Sequence, residues 1–174
     1  MWLVFKNKLK TQDRLAAWEA GSETNLRLMC CPLCRYNRDS RDHLFFQCSF
    51  ASTIWSTVKI MADLDGVNDA WSSIITWMEQ YAKSKKLVHV ICKFLIAASS
   101  YFIWQERNNR LFSQNYRTPE QVAQLIMHTV RLKLMGFKDD TNPVNRRLLE
   151  KWKISTENQV NDLGEELLIC FLGV

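Results

Sequence analysis

Apolar positions recur every three or four residues along most of the chain, the period that lines up side chains on one face of an α-helix. From about Ser40 the series Leu44, Phe45, Cys48, Ala51, Ile54, Trp55 and Val58 has this spacing. Asp65-Gly66 breaks the chain, Asn68 is placed to cap, and Trp71, Ile74, Ile75, Met78 and Tyr81 form a second amphipathic stripe. After the polar junction Lys83 to Lys86 comes the longest pattern: Leu87, Val90, Ile91, Phe94, Leu95, Ala98, Tyr101, Phe102 and Phe112. Its centre is apolar nearly all round, which predicts a buried core helix. Thr118-Pro119-Glu120-Gln121 joins an N-cap, a proline at the first helical position and a glutamine three residues after the cap, so a helix starts there and ends near Gly136.

The weaker stretches are read in the same way. Thr11 is placed to cap a helix through about Ala20, with Leu15, Ala16 and Trp18 inward, Gly21 as its stop and residues 21–29 as loop. A short helix is expected around Asn145 to Lys153, and the acidic stretch beyond it to Glu166 has little periodicity and reads as a mobile tail. Neither an internal repeat nor a strand ladder is visible.

Composition supports a folded chain: 174 residues, 47% hydrophobic, seven Trp, five Gly and three Pro. The apolar ends, Met1 to Phe5 and Leu167 to Val174, are too short for a signal-peptide core or a bilayer span. The chain therefore reads as soluble and intracellular, with no membrane partner, and its six cysteines read as metal ligands or core thiols before disulfides. The net charge of +5 is uneven. Residues 139–174 hold four Lys/Arg against seven Asp/Glu, which leaves +8 on residues 1–138. Such a charge suits a nucleic-acid partner and equally suits solvated helix faces.

The candidate chemistry lies in Cys30-Cys31-Pro32-Leu33-Cys34, followed by His43 and Cys48. Taken from Cys31 the spacing is C-x2-C-x8-H-x4-C. A C-x2-C turn brings two thiolates to one tetrahedral ion, and thiolate with imidazole is the donor set zinc prefers. Four protein ligands close the coordination sphere, so Cys31, Cys34, His43 and Cys48 predict a structural zinc, not a hydrolytic one. Cys30 competes with Cys31, since it would give an x3 spacing to Cys34. The five-residue step from His43 to Cys48 turns an α-helix by roughly 500°, or about 140° net, so the helix start must be irregular there. Cys92, Cys170, His89 and His128 stand without a revealing partner and receive no role.

These residues resemble a known family. Leu9-Lys10-Thr11-Gln12-Asp13-Arg14-Leu15, the cysteine turn, His43-Leu44-Phe45-Phe46-Gln47-Cys48 and Trp55, in that order, look like the reverse transcriptase zinc-binding domain of plant LINE-type (non-LTR) retrotransposons. The likeness is close over about residues 3–58. Ile103-Trp104-Gln105-Glu106-Arg107-Asn108-Asn109-Arg110-Leu111-Phe112 is similar to the W-x-x-R-N-x-x-x-F stretch that often follows this domain. The resemblance implies that Cys31, Cys34, His43 and Cys48 are the ligands and that Trp55 packs behind them. It also implies a fragment of a longer polyprotein, whose other domains would be partners.

The expected fold is mostly α: a small zinc-knuckle-like turn leading into a helix, followed by a bundle of about four to five helices. The expected organisation is a zinc-binding domain at 1–60, a helical region at 61–155 and a tail at 156–174. Two functions fit. In one, the zinc turn presents Arg35, Tyr36, Arg38 and Arg41 to RNA or single-stranded DNA, cations meeting phosphates and Tyr36 stacking on a base. In the other, the module is structural or docks a protein partner through Phe45, Phe46 and Phe50, without activity of its own. No catalytic residue is assigned, because a closed ligand set consumes the Cys and His that an enzyme would need.

Overall fold

The computed structural model describes residues 4, 6, 8–15, 30–62, 70–113, 115–137 and 142–154. Among them the chain is helical, with one isolated antiparallel bridge between Cys30 and Arg38 and no strand. In chain order the elements are a short helix α1 (Gln12–Leu15), a π-helical turn (His43–Gln47), and α2 (Ser49–Lys59), which runs into a 3-10 turn (Ile60–Ala62). Then come α3 (Trp71–Gln80), α4 (Leu87–Phe112), α5 (Pro119–Met135) and α6 (Pro143–Lys151). The mostly α expectation holds. The expectations for residues 16–29, for the break at Asp65-Gly66 with its Asn68 cap, for the acidic tail and for Cys170 lie outside the described residues.

Start signals explain most boundaries. Thr118 Oγ1 accepts from Gln121 N at 3.3 Å while Gln121 Oε1 accepts from Thr118 N at 2.9 Å, the reciprocal capping box read from the sequence. Helix α6 begins two residues before the expected Asn145, because Asn142 Oδ1 accepts from Val144 N at 2.9 Å and Pro143 occupies the first turn. Thr11 does not act as the expected cap of α1. Its Oγ1 is buried without a hydrogen-bond partner, and the N–H groups of Gln12 and Asp13 donate instead to Asp39, at 2.9 Å to Oδ2 and 3.2 Å to the main-chain oxygen.

Helix α4 is the spine of the fold, packed on α2, α5 and the π-helical turn. Ile91, Leu95, Ile96, Ala98 and Ile103 of α4 meet Ala51, Ile54, Trp55 and Val58 of α2 and Val122, Ile126, Val130 and Leu134 of α5 in one buried core. By length and composition alone α4 could cross a bilayer. Here it packs on protein, and Glu106 and Arg107 are buried near its C-terminal end. Phe46 sits between Trp55, edge-on at 5.2 Å, and Trp71, stacked at 5.6 Å, while Phe45 meets Trp71 at 5.8 Å. Each such pair is worth about 0.5–1.5 kcal/mol beyond the area it buries. Trp152 closes the far end, its Nε1 donating to the Met61 carbonyl at 3.2 Å.

Candidate metal centre

The loop that carries the first two cysteines is folded by its own backbone. Cys31 N donates to Asn37 O at 2.6 Å, Arg35 N donates to Cys31 O at 2.7 Å, and Arg35 takes a left-handed φ of 61° that reverses the chain. At the bridge to Arg38 the backbone is extended, so successive side chains point to opposite sides. Cys31 is fully buried in the cluster, and the half-buried Cys30 is not part of it. The main-chain N–H groups of Cys34 and Leu33 work to lower the Cys31 thiol pKa against stronger upward causes.

The second pair is positioned by an irregular helix start. His43 opens a π-helical turn in which Cys48 N donates to His43 O at 2.7 Å, an i to i+5 bond that accommodates the five-residue step. Cys48 then leaves helical geometry, with ψ of 132°, and stands at the N-terminus of α2. There the main-chain N–H groups of Ala51 and Phe50 help to lower its thiol pKa. Leu44, Phe45 and Phe46 of the turn are buried, which fixes its orientation against the core.

Together these segments place one ligand atom from each of Cys31, Cys34, His43 and Cys48 within 4.8 Å of one another. Cys31 Sγ lies 3.9 Å from Cys48 Sγ, and Cys34 Sγ lies 3.3 Å from His43 Nε2. A tetrahedral ion with zinc–sulfur and zinc–nitrogen bonds of ordinary length needs about 3.8 Å and about 3.6 Å for those pairs. The donor set therefore fits zinc in size and chemistry.

Acidities point the same way. The hydrogen bond with Cys48 and burial push the Cys31 thiol far up, whereas the bond from Cys31 pulls Cys48 down. A cation bound between the two sulfurs would displace their thiol protons. Burial holds His43 below its ordinary value against the opposing field of Asp39, favouring the neutral imidazole that ligates metal.

A polar shell from α4 supports the loop. Arg107 and Asp39 form a fully buried ion pair, and Arg107 also lies over the Trp104 ring at 4.7 Å. Arg110 donates from Nη1 to the Leu33 carbonyl at 3.0 Å and from Nε to Glu106 Oε1 at 2.9 Å, and it covers the Phe50 ring at 4.4 Å. The sequence displayed the W-x-x-R-N stretch without giving it a role, and the arginine within it was the signal to follow.

Of the residues expected to meet nucleic acid, Arg35, Tyr36 and Arg38 are exposed, Tyr36 by 89%. Arg41 differs. It pairs with Asp42 at 2.7 Å and lies over Trp71 at 5.1 Å, so its charge is turned onto the fold. Phe45, Phe46 and Phe50 are buried and form no exposed docking patch.

Comparison with curated proteins and with solved structures gave no match. A family model described as zinc-binding in reverse transcriptase matches residues 1–55, the span that contains all four clustered Cys and His residues. Zinc is accordingly the structural cofactor of this centre. Over residues 1–55 the chain is similar to the zinc-binding domain found in reverse transcriptase.

Proposed function

We propose that Cys31, Cys34, His43 and Cys48 are the four ligands of one zinc ion, and that the centre is a non-catalytic accessory module of a reverse transcriptase polyprotein that binds single-stranded nucleic acid. Four protein ligands leave no corner for an activated water, so the metal pins the loop and does not hydrolyse. The observation that carries the binding reading is the exposure of Arg35, Tyr36 and Arg38 side by side on a loop whose backbone is otherwise fixed. Cations there neutralise phosphates with little ordering cost, and an exposed tyrosine ring stacks on an unpaired base.

The test is titration of the zinc-loaded chain with a labelled single strand of RNA or DNA across a range of salt. Affinity should fall steeply as salt rises, and the Arg35→Ala, Arg38→Ala double variant should bind more weakly with a flatter salt slope, by about one unit per lost phosphate contact. Absence of binding at low salt would overturn the reading.

A further inference from the structure

A second polar site lies one guanidinium away from the zinc loop. Along the connection after α4 and the first turns of α5 is an open cavity of about 520 Å³, walled by Asn115, Tyr116, Arg117, Gln121, Gln124, Leu125 and His128. Three amide side chains supply both donors and acceptors, Arg117 supplies a cation, and no carboxylate lines the wall. Tyr116 is 54% exposed, so much of its ring remains open to a ligand.

The cavity is mechanically tied to the metal centre. Arg110 donates from Nη1 to the Leu33 carbonyl at 3.0 Å and from Nη2 to the Arg117 carbonyl at 3.1 Å, so one side chain joins the zinc loop to the cavity rim. Its guanidinium also faces the Tyr116 ring at 5.8 Å and closes over Phe50. Glu106 Oε1 accepts from Arg117 N at 3.0 Å and from Arg110, which places the acidic group inside the fold and leaves the cationic and amide groups at the mouth.

We propose that this cavity receives one unstacked base of a single strand whose neighbouring phosphates lie on Arg35 and Arg38 of the zinc loop. Stacking on Tyr116 and hydrogen bonds from Asn115 and Gln124 to a base edge are the chemistry by which unpaired nucleotides are held, and the stacking is denied to a base inside a duplex. The inference rests on the nucleic-acid reading above and extends its path from the loop to the junction of α4 and α5.

The experiment uses the full zinc-loaded chain and short oligonucleotides of mixed sequence, as single-stranded RNA, single-stranded DNA and duplex. Tyr116→Ala should weaken single-strand binding by roughly 5- to 150-fold, and Tyr116→Phe should retain it, since the ring does the stacking. Gln124→Ala, at an exposed position, should lose about 2- to 12-fold without disturbing the fold. Photo-crosslinking of a halogenated pyrimidine in the strand should map to Tyr116. The RNA and DNA arms report whether the 2′-hydroxyl contributes. If Tyr116→Ala and Gln124→Ala bind like the parent while the Arg35→Ala, Arg38→Ala variant is weakened, the cavity is excluded and the loop reading stands. Equal weakening of duplex binding by Tyr116→Ala also overturns the inference. A parent chain that binds no single strand at low salt removes both.

Discussion

Arg107 Nη2 donates to Asp39 Oδ2 at 2.5 Å across 68 residues of sequence, with side-chain exposures of only 3% and 0%. The same carboxylate oxygen accepts the Gln12 amide at 2.9 Å. One oxygen thus holds together the start of α1, the zinc loop and the end of α4. The family match ends at residue 55, but the groups that hold its loop in place extend to Arg107 and Arg110.

Removal of one partner strands a buried charge. Arg107→Met should lower stability by about 3–5 kcal/mol in urea denaturation, while Asp39→Leu combined with Arg107→Met should recover much of the loss. Equal stability of Arg107→Met and the parent would show that the pair does not hold the loop.

Zinc should be present at one ion per chain by elemental analysis, and chelation should lower the melting temperature with loss of near-ultraviolet dichroism from Phe46 of the π-helical turn and from Trp55 and Trp71, which pack against it. The Cys31→Ser, Cys34→Ser variant should hold none. Cys30→Ser should keep the full complement, because Cys30 lies outside the cluster; a loss there would return it to the ligand set.

The two threonines placed at helix starts should respond oppositely. Thr118→Val removes an acceptor in a complete capping box and should cost about 1 kcal/mol. Thr11→Val replaces a buried hydroxyl without a partner by a methyl group of similar size and should be neutral or stabilising. Thermal melts of the two single variants decide it.

His89 carries a pH signature. Burial, then the charges of Lys86 and Lys93, hold its pKa below the ordinary 6.5, while its ring lies 4.1 Å from that of Tyr81 and its Nδ1 meets Ser84 Oγ at 2.7 Å. The folded state therefore favours neutral imidazole. Its stabilising contribution is complete above about pH 6.5 and is lost as pH falls through the lower folded value. A proton-detected titration of His89 should give a midpoint below 6.5; a midpoint above it would reverse the sign.

The sequence by itself determined what short-range physics controls. Periodicity fixes which faces of α2 and α3 turn inward, Thr118-Pro119-Glu120-Gln121 fixes a helix start, and the cysteine and histidine spacing picks out the four residues that cluster, whereas Phe112, counted in the apolar series of α4, is 82% exposed. Even the irregular entry to α2 followed from arithmetic, since five residues do not complete whole turns of an α-helix.

What remained belonged to the tertiary structure, because it depends on pairs distant in the chain. Cys31 and not Cys30 entered the cluster once the bridge between Cys30 and Arg38 set which side of the backbone faces inward. Asp39 capped α1 in place of Thr11 because packing brought its carboxylate there, with Arg107 compensating the buried charge. Arg41 was drawn onto Asp42 and Trp71 while Arg35 and Arg38 remained in solvent, a difference that composition cannot express. The residues around Tyr116 that line the cavity all fall within 115–128, and what only the tertiary structure decided is its tie to the zinc loop, through Arg110 reaching both Leu33 and Arg117.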